Sequence, residues 1–191
     1  MGRAMHAELA ALVPALDDLP GAGWSAIDGT LVDVAGGESA AELFDCLGPT
    51  FPGDAETVGS ATSAHFVRPP RQLVHGVGVR FERWARSAPE RAASVLRSAE
   101  FAECLGRSVA ADLGSRPDDA ELLTVDVADV PSGRRVTFTG VGPAGVVPVH
   151  LDIVVVESDG AVSLLWFADT PHPFPALDLA HVVDRLSARV G

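Results

Sequence analysis

Lysine, asparagine and tyrosine are missing from this 191-residue chain, so all 14 of its basic residues are arginine. Without lysine there is no amine for Schiff-base chemistry and no lysine to hold a phosphate. Two cysteines, Cys46 and Cys104, permit one disulfide at most, and the lack of a C-x-x-C argues against structural zinc. No apolar run reaches the length of a membrane-spanning helix. Neither G-x-S-x-G nor H-E-x-x-H occurs, so the commonest hydrolase signatures are missing too. Positive charge is scarce: the 14 arginines face 26 acids, for a net charge of −12. That balance argues against duplex nucleic acid or an anionic membrane as the main partner. The opening, MGRAMHAELA, shows no apolar h-region and no cleavage site. Two readings follow: a cytoplasmic protein, or an exported one whose signal lies upstream of Met1.

What is present is ordinary globular material. The chain is 47% hydrophobic and 21% charged, enough for one well-buried domain over residues 1–191. Its wealth of Ala, Gly, Val, Asp and Arg is the codon bias of a high-GC genome, as in actinobacteria. The clearest structural signal is VPVHLDIVVVESDGAVSLLWFA (147–168). Two β-branched and apolar runs meet at Ser158-Asp159-Gly160-Ala161, which predicts a β-hairpin with a type I′ turn. A two-residue loop pairs Val155 with Leu164, Ile153 with Trp166 and Leu151 with Ala168. Alternation then puts Val149, Leu151, Ile153, Val155, Leu164 and Trp166 on one face. His150, Asp152, Val154, Val156, Ser163, Leu165 and Phe167 share the other. Both faces are apolar near the turn, which predicts cover on both sides, by helices or by a half-open cleft.

The remaining elements follow in order. Met5, Leu9, Leu12, Val13 and Leu16 predict a helix over 4–17, with Pro14 in its last turn. Short extended pieces are expected at Trp24 and at Leu31–Val34. Ser39-Ala40-Ala41-Glu42 reads as a capping box opening a short helix that carries Cys46. Residues 61–68 and 72–84 predict two strands around Pro69-Pro70, with Gly76 and Gly78 open to a close backbone approach. A second capping box, Ser87–Glu90, opens a helix to about Ala99, and another helix ends at Gly114. Two strands flank Pro131-Ser132-Gly133, and a helix bearing Leu179, Val182, Val183, Leu186 and Val190 closes the chain. Strand pairs interleaved with helices predict an α+β fold: one antiparallel sheet with flanking helices.

Candidate chemistry is sparse. Gly140-Val141-Gly142-Pro143-Ala144-Gly145 spells G-x-G-x-x-G, but a strand follows it, so it reads as a loop between antiparallel strands and implies no dinucleotide. No cofactor is expected. Cys46 and Cys104 are read as one disulfide or as two buried thiols; Asp45 and Glu103 beside them disfavour a reactive thiolate. His150 and Asp152 share a strand face, His75 belongs to a strand that could lie nearby, and Asp169 and His172 follow the hairpin. These five residues outline a possible cleft: together they could make a metal site or an acid–base pair at one end of the sheet, or simply a polar strand end that hydrogen-bonds locally. Arg80, Arg83, Arg86, Arg91 and Arg97 form the one basic cluster, either a solvated face or a patch for an anion.

Several stretches resemble a known family. LDDLPGAGW (16–24), Cys46, VRFERW (79–84), F-x-x-C-L (101–105), DIVVVESDGAV (152–162) and V-x-R-L (183–186) are similar to the extracellular sensor domain of mycobacterial PknH-type receptor kinases and its lipoprotein relatives. The resemblance implies an exported domain, an antiparallel sheet with a cleft for a small-molecule or cell-envelope ligand, and a Cys46–Cys104 disulfide tying helices to the scaffold. It transfers no catalytic residue. The family domain carries more than one disulfide, whereas this chain has cysteines for one. The expectation is an exported, envelope-associated ligand-binding or sensor-like domain without catalysis. The alternative is a small cytoplasmic enzyme using His75, His150 and Asp152, which requires those side chains to converge.

Overall fold

The computed structural model describes residues 3–27, 46–47, 52, 54–114, 121–130, 133–142 and 145–190. Among them, eight strands form one antiparallel sheet: β1 (Ser25–Ile27), β2 (Thr57–Thr62), β3 (His65–Arg68), β4 (Gln72–Phe81), β5 (Glu121–Val130), β6 (Gly133–Gly142), β7 (Gly145–Ser158) and β8 (Ala161–Asp169). Their order is β1-β3-β4-β8-β7-β6-β5, with β2 also paired to β4. Four helices accompany the sheet: α1 (Arg3–Ala10), α2 (Ala88–Leu96), α3 (Ala99–Gly114) and α4 (Ala176–Val190). The expected α+β architecture is the observed one.

The β7–β8 hairpin has the register read from sequence, Val155 against Leu164, Ile153 against Trp166 and Leu151 against Ala168. Its turn differs. Only Gly160 has a positive φ, 71°, and no non-glycine residue described does. A positive φ at the second central residue alone is the sign pattern of a type II turn, so Asp159 is spared the left-handed region.

Alternation along these strands builds two cores. On the first face, Ile153, Val155, Val162, Leu164 and Trp166 are buried against Phe101, Leu105, Leu96 and the small residues Ala88, Ala92 and Ala93 of α2 and α3. On the second face, Val154, Val156, Leu165 and Phe167 meet Phe174 and the α4 stripe Leu179, Val182 and Leu186. The spacing of that stripe, three then four residues, is the helical period expected of a half-buried helix. Both faces are therefore covered, the helix-layer form of the sequence expectation.

The first helix is shorter than its periodicity suggests. It stops at Ala10, and Leu12, Val13 and Pro14 cross the second face of the sheet as a strap. Gly78 and Gly76 make room for it. A Cβ at Gly78 would lie 2.3 Å from Leu12 Cβ, and one at Gly76 would lie 2.7 Å from Pro14 Cδ. Ser163 Oγ donates to Leu12 O (2.6 Å), and Arg189 of α4 donates to Ala11 O, Val13 O and Asp18 Oδ2. Fixed tertiary partners thus override a local helical preference that Pro14 already weakens.

Other expectations shift by smaller amounts. The single strand expected over 61–68 is two, β2 and β3, broken at Ser63-Ala64. The Ser87 capping box does not form; Ser87 makes no side-chain cap bond, and its Oγ accepts from Arg91 Nη1 instead. The Ser39–Glu42 box and the Leu31–Val34 strand lie outside the described residues, although Cys46 and Leu47 are helical. The G-x-G-x-x-G stretch joins β6 to β7, with Gly142 paired to Gly145 in an antiparallel hairpin, as its rejection as a dinucleotide site requires.

Candidate ligand site and the sheet faces

The structure brings together only part of the cleft read from sequence. His150 and Asp169 are cross-strand partners, and Asp152 lies opposite Phe167, so all three belong to the second face. His75 lies opposite Trp166, on the first face. The sheet itself separates His75 from His150 and Asp152, so the convergence required of an acid–base trio is absent. The reason is registry: β4 pairs with β8, which puts the odd-numbered apolar side of β4 beside Trp166.

Each second-face group is held locally. Asp152 is fully buried and accepts two bonds from Arg135, from Nε at 2.6 Å and Nη2 at 3.0 Å. Such a bidentate pair fixes the carboxylate and neutralises it. His150 has Nε2 3.0 Å from Pro171 O, a carbonyl that can only accept, so Nε2 carries the proton. In the neutral ring Nδ1 then accepts from Thr137 Oγ1 at 3.1 Å. Asp169 accepts from Gln72 Nε2 and the Thr170 amide, both at 2.7 Å. His172 is exposed. Arg68 closes the polar end, donating to Gln72 Oε1, Pro20 O and Asp178 Oδ2 while its guanidinium lies 4.7 Å above the Trp24 ring.

The first face carries a different feature. His65, His75 and Trp166 form a stack across β3, β4 and β8, with centroids 4.1 Å and then 5.3 Å apart. The same cross-strand row continues through Ile153, Arg134 and Asp129. His75 is 8% exposed, and burial, followed by the neighbouring His65, lowers its pKa from 6.5 to about 4. It is a neutral ring at pH 7, packed as an aromatic. Trp166 Nε1 is buried and, among the described residues, has no hydrogen-bond partner.

At the far end of that row lies an open pocket of about 390 Å³. Leu96, Val130, Ile153 and Val155 supply its apolar lining, Gly133 its backbone wall, and Arg97, Arg134 and Asp129 its polar rim. Arg134 donates to Arg97 O at 2.8 Å and pairs with Asp129 at 2.7 Å; Arg97 pairs with Glu157 and donates to Val155 O. Asp129 is 80% exposed, so its pairing is screened and readily exchanged. The pocket is open to solvent, and both arginines at its rim already bond to protein acceptors.

The basic cluster read from sequence is dispersed. Arg91 pairs with Glu56, Arg97 belongs to the pocket, and Arg80 sits 3.9 Å from Glu8 of α1. The two cysteines do join: Cys46 and Cys104 form a disulfide with Cα atoms 5.9 Å apart, tying the Cys46–Leu47 turn to α3. Sequence reasoning missed Arg107, whose Nη2 donates to Cys46 Sγ at 2.9 Å and lies 3.4 Å from Cys104 Sγ. The signal was there, because Arg107 is one helical turn beyond Cys104. It also missed His65, which the β3–β4 register sets opposite His75.

No family model matches the chain, and no curated protein matches its sequence. Among solved structures, the fold is similar to the crystal structure of the extracellular domain of PknH from Mycobacterium tuberculosis. The two are 13% identical, the match covers 96% of this chain and 95% of that one, and the TM-score is 0.46. The likeness assigns neither a family nor any residue's role.

Proposed function

We propose that this chain is an exported, envelope-associated ligand-binding or sensor-like domain that performs no catalysis. The observation that carries this reading is the Cys46–Cys104 disulfide. Disulfides persist in oxidising compartments and are rare in reducing cytoplasm. The pocket beside Leu96, Ile153 and Val155 is the seat proposed for a small ligand, with Arg97 and Arg134 fixing its orientation. The enzyme alternative fares worse, because its three side chains lie on two sides of the sheet. Fractionation of cells expressing the gene with its native upstream sequence tests the reading. Recovery in the envelope or the medium is expected; recovery in the cytoplasm alone contradicts it.

A further inference from the structure

We propose that the Cys46–Cys104 bond is a site of thiol–disulfide exchange with a dithiol reductant, and that Arg107 holds the released sulfur as a thiolate. The geometry behind this is the guanidinium placed over both sulfurs, at 2.9 and 3.4 Å. Among the described residues no carboxylate pairs with Arg107; Glu103, one turn earlier on the same helix, is exposed and makes no ion pair with it. A disulfide sulfur is a weak acceptor and neutral, so it gives a cation little. A thiolate at the same position gives it an opposite charge at contact. The guanidinium therefore favours the reduced, ionised pair over the oxidised one.

The two sulfurs differ in access. Cys104 is 1% exposed, whereas Cys46 is only partly buried. A reductant thiolate accordingly attacks Cys46 Sγ. The electron pair of the sulfur–sulfur bond leaves on Cys104 Sγ, which becomes a thiolate beside Arg107. The second thiolate of the reductant then attacks the reductant's own sulfur in the mixed disulfide and displaces Cys46 as a thiolate. Two electrons pass from the dithiol to the cysteine pair, the reductant ends as its disulfide, and the cysteines take up protons according to pH. Reduction then removes the covalent tie between Cys46 and α3, while Leu47 stays buried in the first core.

The test equilibrates wild type and Arg107→Gln with fixed ratios of reduced and oxidised dithiothreitol, then alkylates and weighs the protein. Thiolates are scarce at low pH, so the two proteins should be reduced to a similar extent at pH 6. At pH 9 wild type should be reduced roughly five- to tenfold more readily, a difference of up to about 30 mV. Equal reduction constants at both pH values overturn the proposal. If Arg107→Gln does not fold, reduced wild type decides alone. Its thiolate absorbance should develop at least about one pH unit below the ordinary cysteine value of about 8.5; development at or above that value overturns the proposal.

Discussion

His65 and His75 lie face to face across β3 and β4, ring planes 4° from parallel and centroids 4.1 Å apart, with Trp166 continuing the stack beyond His75. The pKa of His75 is lowered from 6.5 to about 4, so it binds its proton more weakly in the fold than in the unfolded chain. Its contribution is therefore unaffected above about pH 6.5 and turns destabilising as pH falls from there toward 4. The loss should approach roughly 2–3 kcal/mol near pH 4.5 by linkage. Urea unfolding at pH 7 and pH 4.5 checks this. His75→Phe keeps an aromatic in the stack and should shrink the difference between the two pH values by that amount; an unchanged difference contradicts it.

Arg135→Ala should destabilise the fold by about 3–5 kcal/mol, because it leaves the fully buried Asp152 carboxylate without its bidentate partner. Adding Asp152→Asn to that variant should recover part of the loss. Denaturant midpoints for the single and double variants measure both effects.

Gly78→Ala should cost about 2–3 kcal/mol or more, since its Cβ would meet Leu12 Cβ at 2.3 Å and the Leu12 carbonyl oxygen at 3.1 Å. The strap must lift to relieve the overlap. Limited proteolysis should then cut near residues 11–15 faster than in wild type. Gly160→Ala has open space around it, so it loses only the backbone freedom of a φ of 71°, a smaller penalty of about 1 kcal/mol.

Arg189→Ala removes three bonds that anchor the strap and leaves the buried carboxylate of Asp18 with the Ala15 amide at 2.8 Å and Arg185 at 3.9 Å. The expected loss is about 2–3 kcal/mol. Hydrogen exchange should show faster opening of residues 11–18 with little change in β7 and β8.

Local pattern in the sequence revealed the centre of this fold and left its assembly hidden. Alternation and the Asp159-Gly160 turn gave the β7–β8 register and both faces, because a two-residue loop leaves one pairing that buries Ile153 and Leu164 together. The two glycines of β4 announced a close approach without naming Leu12 and Pro14 as what approaches. The candidate site was harder. Whether His75 meets His150 depends on which strand β4 pairs with and in what register, and no local pattern carries that. His65 and Arg107 were within reach, one through the turn at Pro69-Pro70 and the other through helical spacing from Cys104.

The disulfide closes a separation of 58 residues, and the chain-entropy estimate gives it about 4 kcal/mol of stabilisation. The most direct measurement is the state of its sulfurs in cells: quench growing cells in acid, alkylate under denaturing conditions without reductant, and weigh the protein. An exported, disulfide-tied domain predicts unmodified protein that takes up two labels only after reduction. Protein that carries both labels without reduction, collected under oxidising growth conditions, would contradict it.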